Sequence, residues 1–327
     1  MPTARPADAV PEPRLVLRLE VAGGRIARAA LLPEDLPDLT PLLLGEPVEA
    51  AAVRIARLLA ACPRAHAIAL CAAAETAAGA PASPARRAAR GLLLLAERVR
   101  ALALRRAVAW PALFGEPVRV ALAKALLAAA DGLDRAVGLA GPRAALEADR
   151  SRLLEACTAL EAAFRALVAD PLAERLPGEA GALGGALGRA VAHAFAERLA
   201  ADRRILARVH TLAPQLVGEP ALPPLAGSGR GRAALDTDRG RLVWTVGLRQ
   251  GRLARVAWVT PTDRALQGGH PVLRALPGAR PALPSARLAA LAMAAVDPCW
   301  PWRLELATAA RPGRRWRAGV APEPAHA

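Results

Sequence analysis

The spacing of apolar positions changes character along the chain. Leu15-Val16-Leu17-Arg18-Leu19-Glu20-Val21 partly alternates apolar with polar, Gly23-Gly24 supplies a turn, and Arg25-Ile26-Ala27-Arg28-Ala29 returns. This pattern predicts a β-hairpin over residues 14–31. Residues 33–45 read as loop. From about residue 46 to 211 the apolar residues recur at helical spacing. Val48–Ala61 carries one apolar face, Pro63 interrupts, and a second helix runs from about Ala65 to Ala78. Long helices are predicted near 84–109, 117–138, 143–168 and 180–211, separated by Pro111, Gly141-Pro142 and the Pro177–Gly185 stretch. Pairs such as Glu147/Arg150 and Glu161/Arg165 decorate their polar faces.

Pro214–Arg232 reads as a Pro/Gly-rich connector. Two strands are predicted after it, Arg241–Leu248 and Leu253–Thr260, joined at Arg249–Arg252. A loop and a final helix near Ser285–Ala295 lead to Asp297-Pro298-Cys299. The expected fold class is α+β: a mainly helical body with β-hairpin or small-sheet elements at both ends, not an alternating βαβ arrangement. One domain is expected over 1–327, divided into the hairpin (14–31), the helical body (46–211), a segment of strands plus C-terminal motif (233–305) and a tail (306–327).

Composition narrows the classes. The 327 residues are 54% hydrophobic, which excludes a mostly disordered chain. Lys+Arg number 44 against 29 Asp+Glu, a net charge of +15, and Lys124 is the only lysine. The Arg/Ala/Pro bias runs through the whole chain and reads first as coding composition. The arginines are interleaved with acids, except for Arg311, Arg314, Arg315 and Arg317. Aromatic residues make up only 3%, too few for base-stacking platforms. A solvated basic surface is therefore expected in preference to a nucleic-acid site. No stretch reaches the roughly 20 strongly apolar residues of a membrane span, and Met1–Pro13 has no continuous hydrophobic segment. Cysteines at 62, 71, 157 and 299 are too scattered for a disulfide framework, so free thiols in a cytoplasmic setting are expected.

Two segments carry the chemistry. The first is Arg57-Leu58-Leu59-Ala60-Ala61-Cys62-Pro63-Arg64-Ala65-His66, followed by Glu75. The second is Asp297-Pro298-Cys299-Trp300-Pro301-Trp302-Arg303-Leu304-Glu305. Together they resemble the large subunit of nickel–iron hydrogenases, whose motifs are Arg-x-Cys-Gly-x-Cys-x-x-x-His and Asp-Pro-Cys-x-x-Cys-x-x-His. Arg57, Cys62 and His66 fall at the family's spacing, and Glu75 stands where it usually has a glutamate. Asp297, Pro298 and Cys299 match the second motif. The opening hairpin, Asp236-Thr237-Asp238-Arg239-Gly240-Arg241-Leu242 (against Glu-x-Pro-Arg-Gly-x-Leu) and Val259-Thr260-Pro261-Thr262 (against Val-x-Pro-Ser/Thr) extend the resemblance in the same order.

The departures set what the resemblance implies. Leu59 and Trp302 occupy two of the four metal-ligand positions, Ala60 replaces the glycine, Glu305 the terminal histidine, and Arg14 stands where the hairpin would carry a glutamate. Cys62 and Cys299 remain as metal ligands. Soft thiolates select nickel and low-spin iron, so losing half of them removes a stable nickel site. In the family, the arginine of the Arg-Gly segment and the hydroxyl after proline hydrogen-bond the cyanides on iron. The matching residues are Arg239 and Thr262, beside Pro261, with His66 near the thiols.

The pattern is similar to HupK-type hydrogenase expression/formation proteins, shortened relatives of the large subunit. The resemblance implies a non-enzymatic scaffold or chaperone for hydrogenase maturation. It would transiently hold an iron–cyano–carbonyl fragment, with a large-subunit precursor and small maturation chaperones as partners. A tail from Leu306 to Ala327 that is not cleaved also follows. The alternatives are a divergent nickel–iron hydrogenase large-subunit-like enzyme and a basic helical protein- or nucleic-acid-binding protein without metal chemistry.

Other readings are plainer. Cys71 and Cys157 read as small buried apolar residues. His66 is either a helix histidine bonded to a backbone carbonyl or a support beside a metal thiolate. Arg239 either faces the cargo or pairs with Asp236 or Asp238. Trp302 either fills the vacated ligand position or serves as a surface anchor for a partner. His193, His210, His270 and His326 show no ligand spacing, and Gly227–Gly231 reads as connector.

Overall fold

The computed structural model describes residues 12–169, 172–280 and 283–308. Strands β1 (Arg14–Ala22) and β2 (Arg25–Glu34) form the antiparallel hairpin. It runs on to Glu34 where loop was expected after residue 31. Its buried residues Leu15, Leu17 and Leu19 point to one face, as a period of two requires.

The helical body follows. Helix α1 (Val48–Leu58) ends before residue 61, and α2 (Pro63–Ala77) begins on Pro63 itself. A proline at the first helical position lacks only an amide that would be unpaired there, so it starts the helix rather than breaking it. Helix α3 (Pro84–Leu104) passes into a π-helical turn at Arg105–Ala109 and a short α4 (Trp110–Leu113). Helix α5 spans Val120–Val137. Helix α6 (Arg150–Val168) starts seven residues later than the predicted 143, capped by the Asp149 side chain. The segment before it is irregular and pairs Leu146 with Glu219. The predicted 180–211 helix is α8 (Gly185–Leu212), and an unpredicted short helix, α7 (Leu172–Gly181), precedes it across Pro177.

The expected connector ends in an unpredicted strand, which begins at Gly229. Strand β3 (Gly229–Thr237) pairs with β4 (Gly240–Arg249), and β4 with β5 (Arg252–Val259), all antiparallel. The glycines in β3 mark close packing, not flexibility. A Cβ on Gly231 would lie 2.0 Å from the Ala73 carbonyl oxygen of α2. The expected loop after β5 contains α9 (Pro261–Leu266) and α10 (Pro271–Ala275), then α11 (Ser285–Val296). Strand β6 (Trp302–Thr308) joins β1 in parallel, completing a sheet of order β2-β1-β6. This strand takes in the first residues of the predicted tail. The remainder, with Arg311, Arg314, Arg315, Arg317 and His326, lies outside the described residues.

Three apolar cores hold these parts. One joins α3, α5, α6 and α8. A second seats the hairpin on α7, α8 and α11. The third packs α1 and α2 against β4. The start of α2, the β3–β4 turn, the start of α9 and the end of α11 meet where these cores adjoin. Among the described residues no helix is long and apolar enough to cross a membrane.

Candidate functional site

Each sulfur sits at a helix boundary. Cys62 precedes α2 in the left-handed region, with φ 56° and ψ 42°. That conformation is uncommon for a residue with a side chain. Asp297 does the same at the other end of the site, closing α11 with φ 49°. Cys299 follows two residues later. Its backbone N–H donates to Thr262 Oγ1 at 3.1 Å, and the same hydroxyl donates to Cys299 Sγ at 3.1 Å. Thr262 is fixed in the first turn of α9 by Pro261 and by the capping box of Thr260 and Asp263.

Arg239 enters from the β3–β4 turn, where Thr237 Oγ1 accepts its backbone N–H at 3.2 Å. Its Nη1 donates to Cys62 Sγ at 3.4 Å and its Nη2 lies 3.7 Å from Asp297 Oδ1. Its Nε is buried without a hydrogen-bond partner. The expected alternatives Asp236 and Asp238 are therefore not its direct partners. Its charge favours the thiolate form of Cys62, which it bonds, and of Cys299. Burial outweighs that pull and pushes Cys62 up to about 12 and Cys299 up as well. Burial therefore favours the neutral thiol at both positions.

Behind Arg239 stands a buried ionic network. Arg105 donates to Asp238 at 2.6 Å and to Asp202 at 2.9 Å, and lies 3.6 Å from Asp297. Arg198 bonds Asp297 and approaches Asp238 to 3.9 Å, while Arg106 is 3.9 Å from Asp202. The guanidinium groups of Arg105, Arg106, Arg198 and Arg239 thus face the carboxylates of Asp202, Asp238 and Asp297. The network was not foreseen. Its legible trace is Asp202, a carboxylate on the apolar stripe of α8 that also carries Val191, Phe195, Ile205 and Val209. The π-helical turn buries two consecutive arginines, 105 and 106. Such turns are rare and concentrate at functional sites.

His66 bonds neither a carbonyl nor a thiol through its ring. Trp244 Nε1 donates to its Nδ1 at 3.3 Å, and burial lowers its pKa to about 4, so the ring is neutral. Glu97 accepts the Arg64 and Ala65 amides at 2.7 and 3.3 Å, completing the start of α2 next to Cys62. Burial raises its pKa to about 7. Glu75 lies at the far end of α2 in a separate buried cluster, bidentate to Arg90 and bonded to Arg143. Arg57 is exposed at the end of α1.

The residues at the positions that the resemblance aligns with the other metal ligands make structural contacts. Leu59 is extended beyond α1 and packs on the third core. Trp302 opens β6 opposite Leu15 and is half-buried on the second core with Trp300. Glu305 faces Arg18 across the β1–β6 register, with an ion pair of 2.8 Å. Cys71 and Cys157 are buried, as small apolar residues are. Among the described residues no group of three or more His, Cys, Asp or Glu is arranged to hold a metal ion.

No protein-family model and no curated protein matches the chain. Solved structures do. A chain of an NAD+-reducing [NiFe]-hydrogenase is similar over 84% of this chain and 93% of its own, with TM-score 0.61 and 15% identity. The Ni-Fe-Se hydrogenase from D. vulgaris Hildenborough gives 85% and 94%, TM-score 0.63 and 13% identity. A chain of an archaeal membrane-bound sulfane sulfur reductase gives 86% and 92%, TM-score 0.64 and 15% identity. The α+β architecture is thus that of the hydrogenase large-subunit fold. These neighbours carry two different named activities, so the fold alone does not fix the reaction.

Proposed function

We propose that the protein is a non-enzymatic maturation factor for nickel–iron hydrogenase. It holds an iron–cyano–carbonyl fragment of the Fe(CN)2CO type as cargo between Cys62 and Cys299, before a large-subunit precursor receives it. The carrying observation is Arg239, whose guanidinium bonds Cys62 Sγ and keeps a buried, unpartnered Nε. A buried donor without an acceptor is costly, and an anionic cyanide nitrogen is an acceptor of the right charge.

The donor set suits the cargo. Two soft sulfurs match low-spin iron, and the fragment's own cyanide and carbonyl ligands complete the shell. Thr262 offers a hydroxyl at Cys299, and the Arg239 guanidinium at Cys62 favours an anionic guest. Nickel is not stably bound, because Leu59 and Trp302 offer hydrocarbon and an indole in place of two thiolates. Release is favoured because both thiols revert to neutral forms when the metal leaves. The partners are the precursor and small maturation chaperones, in a cytoplasm that keeps the thiols reduced.

The test is complementation of a host lacking this chain, read as nickel–iron hydrogenase activity. Cys62→Ser and Cys299→Ser are expected to reduce restored activity at least tenfold, and Cys71→Ser to leave it intact. Full restoration by the Cys62→Ser/Cys299→Ser double variant would overturn the cargo role.

A further inference from the structure

A cavity of about 480 Å³ opens beside Arg239, between α8, the β3–β4 turn and the start of α10. Its size falls in the range of small-molecule sites. Arg98, Arg198, Arg204, Arg208 and Arg239 line it, against Glu197, Asp236 and Asp238. Asp238 is committed to Arg105, and Arg198 to Asp297. Arg98, Arg204 and Arg208 have no ion pair or hydrogen bond with a carboxylate among the described residues. Arg204 and Arg208 stand one turn apart on α8, where like charges repel.

The wall is therefore electropositive and incompletely compensated. Burial, together with the nearby Arg208, pulls Arg98 below the usual arginine range despite Asp238 and Asp236. Arg198 is pulled down as well, by burial foremost and then by Arg105. An anion in the cavity relieves both. Guanidinium groups are suited to it, since their planar forks are weakly hydrated and bond oxyanions or cyanide termini in pairs. Arg239 reaches both the cavity and Cys62, so the cavity and the Cys62 thiol share one side chain.

We propose that this cavity binds a small polyanion and is the entry by which the anionic iron fragment reaches Cys62 and Cys299. The anion site stands on the cavity itself; the entry role rests on the cargo reading above. Field-guided capture of this kind is strongly salt-dependent.

The test is calorimetric titration of the full metal-free chain with hexacyanoferrate(II) and, separately, inorganic phosphate. One saturable site is expected for hexacyanoferrate(II), weakened at least tenfold in Arg204→Gln/Arg208→Gln, whose side chains are exposed and dispensable for folding. Arg98→Gln is expected to weaken it similarly. Arg25→Gln/Arg232→Gln, which removes equal charge elsewhere, is expected to leave it unchanged. Cys62→Ser/Cys299→Ser is expected to retain it, which separates this site from the thiol chemistry. No saturable binding, or equal loss in the two double-arginine variants, would overturn the site. Binding of phosphate but not hexacyanoferrate(II) would overturn the entry role.

Discussion

The guanidinium of Arg239 and the thiol of Cys62 lie 3.4 Å apart although 177 residues separate them in the chain. The contact ties the turn of one sheet to the first residue before α2. Two otherwise unrelated helix boundaries, at Cys62 and Asp297, are strained into the left-handed region to present their groups to the same arginine. Strain of this kind persists only where the surroundings over-determine it, here through the buried arginine–aspartate network.

That contact sets the reactivity of Cys62. In a Cys71→Ser/Cys157→Ser/Cys299→Ser background, alkylation by iodoacetamide at pH 8 is expected to be slow, because burial holds the thiol near pKa 12. Arg239→Gln removes the one nearby positive charge that favours the thiolate and is expected to slow the reaction about tenfold further, whereas Arg239→Lys retains most of the rate. Faster alkylation in Arg239→Gln, at unchanged thermal stability, would contradict this role.

Two buried groups next to the site give stability opposite pH dependence. Glu97 is raised from 4.5 to about 7 in the fold, so its contribution is complete below pH 4.5 and is lost as pH rises through 7. His66 is lowered from 6.5 to about 4, so its contribution is complete above pH 6.5 and is lost as pH falls through 4. In urea unfolding, Glu97→Gln is expected to gain on the parent by about 3 kcal/mol between pH 4.5 and 7. His66→Gln is expected to lose by a similar amount as pH rises from 4 to 6.5. Parallel curves for parent and variant would refute either assignment.

Much of the fold is legible in the chain. The alternation around Leu15–Val21 and the Gly23-Gly24 turn produce the first hairpin, and long apolar stripes produce the helices. The misses share a cause: the determining contact is distant. Gly231 looks like linker glycine until α2 packs on it. Trp302–Thr308 becomes a strand only through parallel pairing with β1. Pro111 looks like a breaker, yet it sits in the first turn of α4. At the site, Arg239 bonds Cys62 and Thr262 bonds Cys299, contacts between segments far apart in the chain. Arg105, Arg198, Asp202 and Glu97 belong to no local motif, and their importance arises from burial.

Packing between β3 and α2 is directly testable. Gly231→Ala would drive a methyl group onto the Ala73 carbonyl and the Ala77 amide, backbone atoms that cannot swing away. A loss of roughly 3 kcal/mol or more is expected, from overpacking and the broken helix–strand seat. Gly141→Ala, with nothing within 4 Å, is expected to change stability by less than about 0.5 kcal/mol. Thermal unfolding of the two variants compares them, and equal melting temperatures would count against the close approach.

The cargo role is tested most directly by infrared spectroscopy of the protein purified without oxygen from a host with the complete maturation machinery. Bands in the cyanide and carbonyl stretching regions are expected in the parent, lost in Cys62→Ser and in Cys299→Ser, and shifted in Arg239→Lys. A parent spectrum empty in those regions, or bands that survive unchanged in both serine variants, would contradict it.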